Sequence, residues 1–516
     1  MGKKEMDKKL NTYEKTAFWI AVFAGIFCLC FFVHPQVILD YDDWSYVSEL
    51  RIPFPWPTFW NPSRVLPEVL MPAFGYLGAL IYRFFPELGY IRSEALSYSL
   101  AQSIFETVYL YMFAELLAKR FGSADRKGYL RVILLTGVFF VFHFLTFRTE
   151  QENNEYLFRT ANLTCCFFYL IPALLNLTAV MLFAGEPERF DAFFSKDKQC
   201  RILPVLVLVY FCVFSNLFAN IIIAVYALYR IMADLIRKRS LRKTVKKNSL
   251  FIVVLALWTV SVVFEAFGGR AQVTDGEMAF ADSVSAVCRY FFKVVGNVNP
   301  VCIVVTVIAV IMWFVLEKNS EDGFSGLFLQ MIVCAAIVLV YLILLCAKVD
   351  VVYIGRPEVL ISFFSLMYIA VCVSLARIVR KYGKGWLPVA GVFLLMIACT
   401  YTPGNTFAES YPIDARITPE TCIAISQDIV NQVVEADRTG KTDVVIDVAF
   451  NGAYDDNWPQ CVYLGEALVP ALYRHGVIKS PVNAEIFPSM EFNARYKLDF
   501  PLLPYEAVVG IKDNRG

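Results

Sequence analysis

The sequence predicts an all-α polytopic membrane protein carrying a small α/β domain at its C-terminal end, and three observations lead to that fold class. Hydrophobic residues make up 58% of the 516 positions and charged residues 18%, with a mean hydropathy of +0.55, a balance too apolar for a soluble globular chain. Apolar stretches of the roughly 20 residues that a helix needs to cross a bilayer recur from Phe18 to Thr400. Beyond Thr402 the composition turns polar, and more than a hundred residues remain, enough to bury a core of their own.

Lysines and arginines order the spans. The basic start through Lys15, then Lys119 to Arg131, Arg189 to Arg201, Arg237 to Lys247 and Arg377 to Lys384 belong on the cytoplasmic side by the positive-inside rule. About eleven spans satisfy that constraint: Ala17 to Val33, Glu94 to Ala118, Val132 to Phe147, Ala161 to Ala184, Ile202 to Phe214, Leu217 to Ile236, Leu250 to Phe267, Pro300 to Leu316, Leu327 to Ala347, Val359 to Leu375 and Trp386 to Thr400. The amino terminus is then inside and the carboxyl terminus outside. Leu66 to Phe85 is apolar but contains Pro67, Glu68 and Pro72, and counting it as a crossing would move the basic 119–131 loop outside. It is expected along the outer interface, so the first outer loop runs from His34 to Ser93. Loops of that length in a compact domain usually carry function. The first apolar segment is long and has no small-residue cleavage site after it, so it is expected to stay as a transmembrane helix.

The chain thus divides into a membrane domain over 1–400 and an extracytoplasmic unit over 401–516. In the latter, Pro419 to Ala436 has helical periodicity, Asp443 to Ala449 reads as a buried strand and Tyr463 to Arg474 as a second helix. Most of the 14 cysteines lie in or beside spans, where a thiol is a small apolar side chain. Cys422 and Cys461 in the outer unit are equally compatible with a disulfide and with two thiols. With only His34, His143 and His475 and no zinc-ligand spacing, no histidine triad or zinc site is expected.

The acidic pair Asp42 and Asp43 follows the first span, flanked by Tyr41, Trp44 and Tyr46 at headgroup level. Asn61-Pro62-Ser63-Arg64 and Glu68 add polar groups nearby. Asp40, Asp42 and Asp43 also suit solvated charges at a helix end. Further cations fall on the same face: Arg148, Arg159, Arg270, Lys293, Lys348 and Arg356. An anionic headgroup would explain them, since arginine grips phosphate oxygens bidentately, and so would salt bridges to Glu150, Glu152, Glu155 or Asp350.

A first helix, a long outer loop opening on Asp-Asp, interfacial helices in that loop, many spans and an outer soluble domain resemble the GT-C class of membrane glycosyltransferases. Within it, Asp42-Asp43-Trp44 followed by Asn61-Pro62-Ser63-Arg64-Val65-Leu66 is similar to the Asp-Asp then Asn-Gly-Arg pattern of bacterial glucosyltransferases that decorate O-antigen and wall polymers, and it also resembles a related bacterial membrane family. Pro62-Ser63 stands where that pattern has one glycine before arginine. The resemblance implies an inverting transfer on the outer face of the plasma membrane, from a polyprenyl-phosphate-linked sugar to a glycan or wall-polymer acceptor. Asp42 or Asp43 would be the general base, with Asp42 aligning with the first acid of the family pair. Arg148, Arg159, Arg270, Lys293 and Arg356 are expected to include at least two ligands of the donor phosphate, and Trp44, Arg64, Glu68 and Tyr353 to meet the sugar or acceptor. Phe167, Phe168, Tyr169 and Tyr353 suit a groove for an isoprenoid chain or a stack on a sugar face, and ordinary helix packing and interfacial belts are expected to account for most of them. No certain cofactor is implied; a divalent cation on the acidic pair stays open. Membrane lipid is an expected partner and nucleic acid is not.

Two other readings use the same chain. A transporter or flippase of lipid-linked glycan would place ionisable groups at mid-membrane, and Glu106 is the clearest such residue. A glycan-binding scaffold would use Asp455-Asp456-Asn457-Trp458 in the outer unit.

Overall fold

A computed structural model describes residues 12–39, 41–55, 60–121, 126–147, 156–158, 160, 162–195, 202–267, 279–317, 324–382, 385–400, 417–450, 458 and 464–498. The chain is a helical bundle with one small sheet. The helices used below are α1 (Thr12–Cys28, continued by a π turn Leu29–Val33), α2 (Tyr41–Tyr46), α3 (Val65–Phe84), α4 (Tyr90–Phe121), α5 (Arg126–Leu145) and α6 (Leu163–Gly185, with a π turn at Cys166–Leu170). They continue with α7 (Ile202–Val213), α8 (Leu217–Lys238), α9 (Ser249–Ala266), α10 (Phe280–Gly296), α11 (Pro300–Glu317), α12 (Phe324–Val349), α13 (Pro357–Lys381) and α14 (Trp386–Thr400). After these come α15 (Pro419–Arg438), β1 (Asp443–Ala449), α16 (Leu464–Arg474), β2 (Asn483–Ser489) and α17 (Met490–Tyr496).

Each of the expected spans contains a helix among the described residues. Among the described residues eight helices are long and apolar enough to cross a membrane: α1 with its π turn, α3, α5, α6, α8, α9, α12 and α13. Of these eight, α3 is the helix expected along the interface and not as a span; of the remaining expected spans, α7, α11 and α14 form shorter apolar helices, and α4 is long but polar. Its polar face, with Ser93, Ser97, Ser99, Gln102, Ser103 and Glu106, is turned into the bundle, where protein rather than lipid surrounds it. The central helix is α13, buried along nearly its whole length, and the most peripheral is α1, where Ile26 is the one buried residue of its α-helical part.

The basic segments gather at one end of the bundle. There Lys119 and Arg189 meet Glu186 at 2.9 and 2.7 Å, Arg230 meets Asp191 at 3.0 Å, and Lys247 meets Asp234 at 3.0 Å. At the opposite end lie α2, the C-terminal unit and α3. The helix expected along an interface, α3, has Leu66 donating its N–H to Phe214 O at 3.1 Å, beside the end of α7. Its far end meets the start of α4, with Tyr82 and Tyr90 rings 5.8 Å apart. Both ends of α3 therefore lie away from the basic cluster. From Ser99, which bonds Cys30 O at the end of α1, to Arg120 in the basic cluster, α4 rises about 31 Å, close to the hydrocarbon thickness of a bilayer. The first turns of α4 thus project past the end of α1, with α3 packed on them.

The α3–α4 approach is set by glycine. A Cβ on Gly78 would come within 2.4 Å of Glu94 Oε2 and 2.8 Å of the Glu94 backbone, and one on Gly75 within 2.2 Å of Val47 O. In the C-terminal unit β1 and β2 pair in parallel with Ile446 opposite Ile486. A parallel pair needs a crossover, and α16 supplies it. Strand β2 was not foreseen: Asn483-Ala484-Glu485-Ile486-Phe487-Pro488-Ser489 is short, includes proline and leaves several side chains half exposed, which weakens any period-2 signal.

Candidate functional site

Consecutive helical residues point about 100° apart, and α2 uses this to separate its two carboxylates. Asp42 is exposed, whereas Asp43 has no exposed surface. Asp43 Oδ2 accepts the N–H of Leu39 at 3.0 Å, the backward reach of a helix-capping carboxylate. Its Oδ1 accepts both the N–H and the hydroxyl of Thr164, each at 2.7 Å. Thr164 stands in the first turn of α6, which Asn162 caps by accepting the Cys165 N–H at 2.8 Å. A negative charge at the N-terminus of a 23-residue helix is favoured by its dipole and by its unpaired N–H groups. Asp42, one residue away, makes no hydrogen bond or ion pair among the described residues.

The π turn of α6 joins α2 to the other candidate residues. Tyr46 lies one turn beyond Asp42 on the same face of α2, and its ring is 4.8 Å from Phe168. Phe168 in turn carries the Arg64 guanidinium, 5.8 Å from its centroid. The neighbouring Tyr169 ring is 5.6 Å from Phe218, which is 5.9 Å from Tyr353, and Arg356 sits 4.2 Å over the Tyr353 ring. On the other side Phe167 meets Phe74 and Tyr98 at 6.4 and 5.5 Å. Because consecutive side chains of a helix point about 100° apart, these three consecutive aromatics serve three different neighbours.

Arg64 adopts a left-handed backbone with φ 52° immediately before α3, a conformation that costs a non-glycine residue of order 1–2 kcal/mol. Its Nε lies 3.8 Å from Glu68 and 3.9 Å from Glu265, and Glu68 also binds Arg51 at 2.5 Å. Arg64 Nε and Nη1 are shielded from solvent and form no hydrogen bond. A guanidinium held by two distant carboxylates with donors unspent is suited to take a further acceptor oxygen.

The remaining expected residues distribute as follows. Tyr353 and Arg356 reach the aromatic chain described above. Lys293 is exposed on α10, which packs against the 3-10 turn Val351–Gly355 that bears Tyr353. Trp44, expected to meet sugar, is buried instead and stacks on Tyr90 with centroids 6.2 Å apart; its place on α2 faces the core with Asp43. Arg148, Arg159, Arg270, Cys461 and the Asp455-Asp456-Asn457 motif lie outside the described residues. Among the described residues no cluster of three or more His, Cys, Asp or Glu side chains is arranged to hold a metal ion.

Thr164, Asn162 and Glu265 are site residues that sequence reading passed over. Asn162-Leu163-Thr164 ahead of an apolar run is a helix N-cap pattern, so the start of α6 was findable, but not its pairing with Asp43, 121 residues earlier. No protein-family model, curated protein or solved structure matches this chain.

Proposed function

We propose that this protein is a membrane glycosyltransferase that moves a sugar from a polyprenyl-phosphate donor to a glycan acceptor on the extracytoplasmic face. The observation that carries the reading is the division of labour in α2: Asp43 is clamped by Leu39 and Thr164, and this leaves Asp42 projecting from a helix fixed in place. A carboxylate whose oxygens are occupied by backbone and hydroxyl donors is closed to a substrate, whereas an exposed neighbour on a rigid mount can meet an acceptor hydroxyl.

In the reaction, Asp42 takes the proton of the acceptor hydroxyl as its oxygen attacks the anomeric carbon. The bond from that carbon to the phosphate oxygen breaks, and polyprenyl phosphate leaves with the bonding pair. Attack opposite the leaving group inverts the anomeric centre. Cations stabilise the phosphate as its charge grows. Arg64, with donors unspent, and Arg356, over Tyr353, would take that role, and the half-buried Tyr46, Tyr169 and Tyr353, backed by the buried Phe168 and Phe218, would offer apolar surface between them.

The test incubates purified protein with a polyprenyl-phosphate sugar and candidate acceptor glycans. Asp42→Asn keeps size and shape but removes the proton acceptor, so transfer is expected to fall by about a hundredfold or more while donor binding survives. Full transfer by the Asp42→Asn, Asp43→Asn double variant would exclude the mechanism. The transporter reading draws on Glu106, buried in α4 with Gln102 Nε2 at 2.7 Å from its Oε1; movement of lipid-linked glycan across vesicles without any transfer product would favour it.

A further inference from the structure

At the basic end, away from the candidate site, α1 stands off from α4 and leaves a groove of about 520 Å³. Thr16, Ile20 and Phe23 of α1 face Ile104, Val108 and Tyr111 of α4 across it. The walls are apolar and open outward, as the large exposed surfaces of Ile20 and Val108 show. On α1 the lining runs from Thr12 to Phe23 and on α4 from Ile104 to Glu115, each about 16 Å of helix. That is the depth of one leaflet of a bilayer whose apolar core is about 30 Å thick.

The groove has a charged mouth. Lys15 and Glu115 both line it at the basic end, half-buried, and among the described residues neither forms an ion pair. The Lys15 ammonium rests 4.9 Å over the Tyr129 ring, and Tyr129 OH accepts from Trp19 Nε1 at 3.0 Å, so the cation is held at the rim by an aromatic bracket. Trp19 and Tyr111 rings meet edge to face at 5.3 Å and close the side of the mouth. Lys15 over the Tyr129 ring and Glu115 beside the Tyr111 hydroxyl are opposite charges at one rim, neither neutralised by an ion pair among the described residues, and they match a headgroup that carries both signs.

We infer that this groove binds one phospholipid with a primary ammonium headgroup, its acyl chain between α1 and α4, its phosphate at Lys15 and its ammonium at Glu115. The inference needs the membrane reading of the bundle and is independent of the transferase reading. An apolar wall alone would admit any acyl chain; the pair of rim charges supplies the choice. Phosphatidylglycerol offers no cation to Glu115, and the quaternary ammonium of phosphatidylcholine has no N–H to donate.

The test reconstitutes the full chain into nanodiscs of equal parts phosphatidylethanolamine, phosphatidylglycerol and phosphatidylcholine, extracts it in mild detergent and reads retained lipid by native mass spectrometry. Phosphatidylethanolamine is expected to be enriched. Glu115→Gln should cut that enrichment about tenfold, Lys15→Gln should lower retention of all three, and Thr16→Trp, which fills the groove, should remove the retained lipid. Lys15→Arg is the fold control and should keep the enrichment. Retention without headgroup preference, or a preference unchanged by both Glu115→Gln and Lys15→Gln, would overturn the assignment.

Discussion

Asp42 and Asp43 differ by one position and by everything around them. Asp43 is held by donors from two distant parts of the chain, so its loss should read out as stability. Asp43→Asn puts an amide N–H₂ among groups that are themselves donors, and we expect a loss of about 1–3 kcal/mol, seen as a lower melting temperature in detergent. Thr164→Val removes one donor and leaves the rest of the clamp; a loss near 1 kcal/mol is expected. Asp42→Asn should melt within about 0.5 kcal/mol of the parent while losing transfer. If instead Asp42→Asn melted early and Asp43→Asn did not, the division of roles on α2 would be reversed.

Among elements, the α3–α4 hairpin depends most on small residues. Gly78→Ala forces a methyl into Glu94 side chain and backbone, and Gly75→Ala forces one into Val47 O and Tyr98 OH. Each should destabilise by about 1–3 kcal/mol. Gly25, on α1, has no atom within 4 Å of an added Cβ, so Gly25→Ala should be neutral or slightly stabilising. Thermal melts of the three variants check the contrast. The hairpin also shows what length and composition alone would miss and the count of basic loops did not. Helix α3 has the length and composition of a span, but its contacts tie both ends to one end of the bundle. Likewise the boundaries of β1 and α15 were legible from periodicity, whereas β2, which makes sense only beside β1, was not.

For the whole molecule, the junction between the C-terminal unit and the membrane bundle is the feature most open to test. His475, at the end of α16, reaches between α3 and α4, with Nδ1 2.8 Å from Tyr90 OH and 3.4 Å from Glu94, both side chains of the His475–Glu94 pair fully buried. Arg474 extends the junction to Glu49 at 3.2 Å, and Gln427 accepts the Ile91 N–H at 3.0 Å. His475→Ala should loosen this seat and speed proteolytic release of the C-terminal unit relative to the parent; an unchanged cleavage rate would assign the docking to Arg474 and Gln427. Labelling with a membrane-impermeant maleimide should reach Ser45→Cys and Ser480→Cys from one side and Lys243→Cys from the other. Ser45 and Ser480 on opposite sides would break the proposed topology.

The sequence by itself determined the helical membrane class, because apolar runs and basic punctuation are properties of chain order, read without knowing any contact. It also marked the acidic pair, Arg64 and the aromatic run 167–169 as places of interest. Tertiary structure decided which aspartate is clamped and which is open, since that turns on Thr164 arriving from another helix. The same holds for the burial of Trp44 against Tyr90, the passage of three consecutive aromatics to three neighbours at the π turn, and the seat of His475 between two membrane-domain helices. Each of these rests on residues far apart in the chain, and no local periodicity records which distant groups will meet.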